Sequence, residues 1–137
     1  MSRPVGYTPL PQKLGIAPGD TVALIGAPGW LEDALAEVPA VAAVHTDLAG
    51  DALFDVIIAF VSWRAELEAE LGRFRDRMAP ACGLWIAWPK KAARVPTDMS
   101  AAVIREVALP TGLVDNKVCA IDATWSALRL VIRRENR

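Results

Sequence analysis

Two adjacent lysines at the end of an apolar segment are the clearest candidates for chemistry. The segment ends at Trp88-Pro89, and Lys90 and Lys91 follow directly. A lysine ammonium is a compact point charge that suits phosphate or carboxylate groups, and the Trp88 ring offers a flat apolar wall beside it. The pair predicts a site for an anionic ligand, with a solvated strand end as the structural alternative.

A second candidate is the short stretch over residues 122–126, which separates the last two apolar segments. The Asp122 carboxylate can either pair with Lys90 or help to bind a zwitterionic ligand. An exposed ion pair contributes at most about 1 kcal/mol to stability. We therefore place Asp122 and Trp125 with the lysines among the predicted ligand-binding residues.

The turn over residues 26–29, Gly-Ala-Pro-Gly, follows the first apolar run and precedes a helical pattern. Turns in that position hold phosphates or adenosyl cofactors when several glycines let the backbone approach the ligand. This turn has only two glycines, and Pro28 lacks an N–H donor. Gly26, Pro28 and Gly29 are predicted either to bind a nucleotide or S-adenosylmethionine, or to form an ordinary strand-to-helix turn.

Asp47 stands just after the second predicted strand. In dinucleotide and methyltransferase folds an acid near that place binds ribose hydroxyls, so Asp47 is the candidate for that role. His45, two residues earlier, is interpreted as structural. Ser62 is expected to cap the helix that follows it, and it has no neighbouring histidine that would make it a nucleophile. The sequence therefore assigns no catalytic residue.

Apolar runs and helical patterns alternate along the chain, and these elements must position the candidates. Strands are predicted at residues 21–25, 41–44, 55–60, 84–88, 118–121 and 128–132. Helices are predicted over residues 30–38, 63–78 and 97–107. Such alternation indicates a parallel sheet with helices on both faces. The link over 122–126 has no room for a helix, so the last two strands must be antiparallel.

This order predicts a doubly wound, mostly parallel six-stranded sheet that ends in an antiparallel hairpin. The expected fold is Rossmann-like, a shortened class I methyltransferase-like three-layer sandwich; a flavodoxin-like fold is the alternative without the hairpin. The last strand would insert between the fourth and the fifth, which places residues 122–126 beside Lys90 at the carboxyl edge, where ligands bind. We expect one domain over residues 1–137, with an irregular N-terminal arm over 1–20.

Composition argues against several classes of function. Fifteen basic residues against sixteen acidic ones give a net charge of −1, whereas nucleic-acid binders normally carry a basic excess. Neither a signal peptide nor an apolar run of membrane-spanning length is visible, so we expect a cytoplasmic protein that binds no membrane. One histidine and two cysteines without a cluster argue against a metal site, and Cys82 and Cys119 are expected to be buried free thiols.

Three segments carry a family resemblance: residues 13–16, residues 85–91, and residues 112–120 with Trp125-Ser126. They resemble a bacterial family known as domain of unknown function 3052. The resemblance spans nearly the whole chain, and the tryptophan-proline-lysine-lysine motif and residues 112–126 are its most specific parts. It implies a small cytoplasmic protein, typical of actinobacteria, with no assigned activity, and it adds no catalytic residue.

Three functions from different classes stay open. The preferred one is a non-catalytic binding or regulatory module whose carboxyl-edge crevice holds a small anionic ligand or a partner protein, because it explains the sparse glycines and the missing catalytic constellation. The first alternative is a small S-adenosylmethionine- or nucleotide-dependent transferase with a degenerate motif. The second is a homodimeric interaction protein without a ligand. The cofactor is left unknown.

Overall fold

The computed structural model describes residues 9–36 and 43–136. The elements are α1 (Leu10–Lys13), β1 (Thr21–Ile25), α2 (Gly29–Ala36), β2 (Ala43–His45), β3 (Phe54–Phe60), α3 (Arg64–Asp76), β4 (Met78–Pro89), α4 (Ala101–Ala108), β5 (Leu113–Ala120) and β6 (Trp125–Ile132). The predicted start of the second strand at residue 41 and the predicted helix end at residue 38 lie outside the described residues.

The six strands form one sheet in the order β2-β1-β3-β4-β6-β5. Strands β1 to β4 are parallel to one another, and β6 runs antiparallel between β4 and β5. These pairings confirm the predicted mostly parallel sheet with a C-terminal antiparallel hairpin. They also confirm that the last strand inserts between the fourth and the fifth.

Two apolar cores cover the two faces of the sheet. The first core packs α3 and α4 against it, and the second packs α1 and α2. Strand β4 shows the division, because successive side chains of a strand point to opposite faces. Ile86 and Trp88 face the α3/α4 core, whereas Trp85 and Ala87 face the α1/α2 core.

The N-terminal arm, where it is described, is part of the second core. Leu14 and Ile16 are buried in it, and the indole Nε1 of Trp85 donates a hydrogen bond to the Leu14 carbonyl at 2.9 Å. Gly15 ends the single turn of α1 with a φ of 76°, a conformation that glycine adopts without strain. Leu14 and Ile16 therefore pack the described part of the arm against the sheet.

The N-termini of α3 and α4 differ from the sequence expectation. A Glu66 carboxylate oxygen accepts from the backbone N–H groups of Ser62 and Trp63, at 3.1 and 3.2 Å. Asp98 accepts from the Arg64 N–H at 2.7 Å. The predicted Ser62 cap is wrong: the N-cap is Trp63, and Asp98 rather than Ser62 accepts from the Arg64 N–H. Helix α4 begins after its N-cap Ser100, later than the predicted start at residue 97.

Strand β4 begins at Met78 rather than at Leu84. Phe54 pairs with Met78, and after a register shift Val56 pairs with Gly83. Pro80 and Gly83 lie within this longer strand, since such residues are tolerated at strand ends and irregularities. No helix of the described part of the chain is long and apolar enough to cross a membrane.

Candidate functional site

The carboxyl edge of the sheet brings together the loops that carry most of the predicted site. Gly26 follows β1, Thr46 follows β2, Ser62 follows β3 and Lys90 follows β4. Because these four strands are parallel, their carboxyl ends meet at one edge, which is the ligand-binding edge of open α/β sheets. The turn before β6 lies at the same edge, since Pro89 pairs with Trp125.

Gly26 is required by the way the first loop leaves the sheet. Its φ is 67°, and a Cβ at this position would stand 3.3 Å from the Phe60 carbonyl oxygen. The loop after β1 therefore passes close to the end of β3, and a side chain would be both crowded and strained. Gly29 is different, because no atom lies within 4 Å of its Cβ position.

A cavity of about 120 Å³ opens beside this turn, and we call it the acidic crevice. Its lining residues are Leu24, Gly26, Ala27, Pro28, Glu32 and Thr46. Glu32 lies in the first turn of α2 and is exposed. No basic side chain of the described residues lines the cavity.

The acidic crevice is poorly suited to phosphate. A helix N-terminus usually attracts anions through its unpaired N–H groups and the helix dipole. Here Pro28 has no N–H, and the Glu32 carboxylate adds negative charge at the same end of α2. The complementary ligand groups are cations and hydroxyl donors.

Asp47 lies beside the acidic crevice without lining it. Its side chain is exposed, and one carboxylate oxygen accepts from the Ala49 N–H at 3.0 Å, which stabilises its own loop. Thr46 is the residue from this loop that reaches the cavity. Sequence reasoning missed Glu32 and Thr46; an acid one turn after the glycines is the signal that would have found Glu32.

Lys90 fastens the end of β4 to the β5–β6 turn. Its ammonium donates to the Asp122 carbonyl at 2.7 Å, and its backbone N–H donates to the Thr124 carbonyl at 2.8 Å. Lys91 is exposed and begins a short 3-10 turn. The two lysines that the sequence treats as a pair therefore have different environments.

Asp122 stabilises the turn through its own backbone. Its Oδ1 accepts from the N–H groups of Thr124 and Trp125, both at 2.8 Å. The expected alternative of an ion pair with Lys90 is not what forms, because the ammonium contacts the carbonyl instead. The Trp125 ring packs edge to face on Phe60, with ring centroids 4.9 Å apart.

The predicted site residues thus form separate groups. Gly26 and Pro28 line the acidic crevice, while Lys90, Asp122 and Trp125 form the structured turn at the same edge. Trp88 packs on the opposite face of the sheet, against the α3/α4 core. Two exposed indoles follow neighbouring strands at this edge: Trp30 is 42% exposed and Trp63 is 46% exposed.

No protein-family model matches the chain, and no curated protein matches it. Solved structures do match. A ribosomal protein methylase from Lactobacillus delbrueckii subsp. bulgaricus aligns with a TM-score of 0.67 and 13% identity, over 91% of this chain and 75% of the methylase. The chain has the class I methyltransferase fold. The sequence prediction of that fold is confirmed.

Two further neighbours hold their cofactor. Magnesium protoporphyrin IX methyltransferase from Synechocystis PCC 6803, with bound S-adenosylmethionine, aligns with a TM-score of 0.59 and 12% identity, over 89% of this chain and 74% of that enzyme. An O-methyltransferase from neocarzinostatin biosynthesis, in complex with S-adenosylmethionine, gives a TM-score of 0.67 at 12% identity over 93% of this chain. This chain spans about half of that enzyme, 51%.

These neighbours correct the functional preference. The sequence favoured a non-catalytic binding or regulatory module, yet the neighbours named above are a methylase and two methyltransferases. That preference is wrong, and the transferase alternative agrees better with the neighbours. Identities of 12% and 13% show a shared fold alone.

Proposed function

We propose that the protein is an S-adenosylmethionine-dependent methyltransferase that binds its cofactor at the acidic crevice. The observation that carries this proposal is the charge of the crevice, where Glu32 is the acid, Pro28 removes a donor and no described base is present. S-adenosylmethionine is cationic at its sulfonium and ammonium groups and has no phosphate. Nucleotide cofactors bring phosphates, which this crevice disfavours.

The residues present accommodate part of the cofactor. Ligand pockets usually measure roughly 300–1,000 Å³, whereas this cavity measures about 120 Å³. It would hold one end of the cofactor, with the remainder along the open edge past the exposed Trp30 and Trp63. Glu32 would accept from the ammonium or a ribose hydroxyl, and the absent side chain at Gly26 leaves the end of β1 accessible.

The lack of a catalytic constellation does not oppose this proposal. When bound, S-adenosylmethionine supplies an electrophilic methyl group. The contribution required from the chain is mainly to hold donor and acceptor in line, because orientation and proximity supply much of the rate acceleration. An exposed indole such as Trp63 is suited to exclude water and to contact an apolar acceptor.

Calorimetric titration of the full chain with S-adenosylmethionine, S-adenosylhomocysteine and ATP tests the proposal. We expect one-to-one binding of both adenosyl ligands and no binding of ATP at the crevice. Glu32→Gln should weaken binding of S-adenosylmethionine about tenfold, since hydrogen bonds to charged groups are worth about 1.5–3 kcal/mol and Glu32 is exposed. Asp33→Asn, the same change at the neighbouring exposed residue, is the matched control. ATP that displaces S-adenosylmethionine from the chain would overturn the proposal, whereas ATP bound elsewhere, without competition, would not bear on the crevice.

We also propose that the chain belongs to the domain of unknown function 3052 family, in a bacterial cytoplasm. The support is the motif that ends in Lys90 and Lys91, together with residues 112–126. Lys90 and Asp122, which carry part of that resemblance, meet in the turn at the carboxyl edge. In this proposal the motif has a structural role: it stabilises the turn at the carboxyl edge beside the crevice.

A further inference from the structure

A second cavity lies on the α1/α2 face of the sheet, well away from the carboxyl edge, and we call it the basic cavity. It measures about 250 Å³ and is lined by Lys13, Gly15, Trp85, Asn116, Lys117 and Arg129. Trp85 precedes Pro89 by four strand residues, which is roughly 13 Å at 3.3 Å per residue. Three of the lining side chains are cations, and no acid of the described chain is among them.

Two of these cations stand directly opposite each other. Lys117 of β5 pairs with Arg129 of β6 in the register of the hairpin. Like charges directly opposite on neighbouring strands destabilise a sheet. The arrangement is unfavourable by itself and becomes favourable when an anion lies between the two side chains.

A bulge in β5 produces this arrangement. Asp115 pairs with Leu130 and Lys117 with Arg129, so Asn116 is the extra residue. Asp115 faces α4, where it pairs with Arg105 at 3.0 Å. An unbulged strand would place residues 115 and 117 on one face, but the bulge turns Lys117 toward the basic cavity, and bulges commonly re-aim side chains in this way.

The Arg129 side chain packs against Gly83 of β4, in the space that a side chain at this position would occupy. A Cβ at Gly83 would overlap the Arg129 Nε and stand 2.9 Å from its Cζ. Within the described chain the Arg129 side chain makes no hydrogen bond or ion pair, whereas the Arg64 and Arg105 side chains both pair with acids. The guanidinium donors are therefore available to a ligand.

The lysines add to the same positive potential. The Lys117 ammonium donates to the Lys13 carbonyl at 3.2 Å, which joins the end of α1 to β5. Burial raises the pKa of the neighbouring Cys119 thiol, and the positive charges of Lys13 and Lys117 oppose that rise. Charges on α1, β5 and β6 thus act on one small volume.

We propose that the basic cavity binds the phosphate group of a small ligand. Arg129 supplies a planar fork of donors that matches phosphate oxygens, and the two lysines supply point charges. The cavity is larger than a phosphate group needs, so it also has room for the group to which the phosphate is attached. The bound anion removes the repulsion between Lys117 and Arg129.

Titration of the full chain with inorganic phosphate and with glycerol 3-phosphate, at constant ionic strength set by chloride, tests the proposal and separates a free phosphate from a phosphate ester. We expect both ligands to raise the melting temperature of the wild type. At equal concentration, the one that binds more tightly should raise it more. Arg129→Gln should weaken phosphate binding about tenfold, the loss expected for one charge-assisted contact of about 1.4 kcal/mol.

Gly83→Ala is the sharpest variant, because it leaves every charge in place. The added Cβ displaces the guanidinium, a flexible group, so the chain should fold and yet bind phosphate about as weakly as Arg129→Gln. Arg73→Gln is the matched control: it removes one charge from the exposed surface of α3, in the other layer, and should keep wild-type affinity.

Three results would overturn the proposal. The first is a wild type that phosphate and glycerol 3-phosphate do not stabilise, and the second is a Gly83→Ala variant that binds them as the wild type does. The third concerns phosphate-free buffer, where Arg129→Gln should melt at or above the wild-type temperature, because the repulsion from Lys117 is removed. A clear loss of stability of this variant would mean that Arg129 is structural.

Discussion

The acidic crevice and the basic cavity have opposite charge. The acidic crevice carries Glu32 without a described cation, and the basic cavity carries Lys117 and Arg129 without a described acid. They are also built differently. The crevice lies where parallel strands end, a position common to open α/β sheets, whereas the basic cavity depends on a bulge and on one buried glycine.

The difference separates what the fold provides from what this chain adds. Sheets of this topology have a crevice at their carboxyl edge. The position of the acidic crevice therefore does not identify its ligand, whereas the charges that line it indicate the kind of ligand. The basic cavity is not a general feature of the topology. It would be lost if Asn116, the extra residue of β5, were deleted, or if a methyl group were added at position 83.

The largest expected effect comes from Leu14, whose burial holds the N-terminal segment over the basic cavity. Leu14→Ala should lower the free energy of unfolding by about 3 kcal/mol, within the usual 2–5 for a buried leucine. It should weaken phosphate binding more than binding of S-adenosylmethionine. Urea unfolding measures the loss in the free energy of unfolding. Leu53→Ala is the control, because Leu53 is 51% exposed. Equal losses in both variants would contradict a packed N-terminal segment.

A smaller effect is expected at the glycine turn. Gly26→Ala should destabilise the chain by about 1–2 kcal/mol, because alanine is strained at positive φ and its Cβ would crowd the Phe60 carbonyl. It should also weaken binding of S-adenosylmethionine and leave phosphate binding unchanged. Gly29→Ala, in open space at the start of α2, should be close to neutral. Thermal unfolding compares the two, and equal destabilisation would remove the structural distinction between these glycines.

The two lysines at the carboxyl edge should differ in their effect on stability, but by less than the two glycines do. Lys90→Gln removes the ammonium that contacts the Asp122 carbonyl and should cost about 1 kcal/mol, the usual net value of a hydrogen bond. Lys91→Gln, at an exposed residue, should change the melting temperature little. Losses of the same size would show that the turn does not depend on Lys90.

The last prediction concerns the buried thiol of Cys82, which has no effect on stability near neutral pH. Burial, with a contribution from Asp55, raises the pKa of Cys82 to about 12, so the folded state favours the neutral thiol. Stability is unaffected by this group well below pH 9 and falls as pH rises from about 9 toward 12, since the unfolded thiol ionises first. A thiol reagent at pH 8 should label Cys82 only as fast as the chain unfolds, with Cys82→Ala as the blank. Rapid labelling of folded protein would contradict this burial.

Much of the fold was predictable because its strongest signals are local. The apolar run of β1 and the stripe of Leu67, Leu71 and Phe74 on α3 correspond directly to the elements that form. The hairpin followed from a link too short for a helix. Chain connectivity then limits the topology to few arrangements.

The features that the sequence did not reveal depend on tertiary contacts. The hydrophobic pattern does not indicate the bulge at Asn116. The buried residues on its two sides, Leu113 and Cys119, pack in different cores. The Lys90 contact depends on where the β5–β6 turn lies. Glu32 is an ordinary first-turn acid until β2 brings Thr46 beside it.

Parallel calorimetric titrations of the wild type, Glu32→Gln and Arg129→Gln with S-adenosylmethionine and with phosphate test the two-site arrangement most directly. We expect Glu32→Gln to lose about tenfold in affinity for S-adenosylmethionine and to keep its phosphate affinity, and Arg129→Gln to do the reverse, each change corresponding to about 1.4 kcal/mol. A wild type that does not bind S-adenosylmethionine, or variants that weaken both ligands equally, would contradict it.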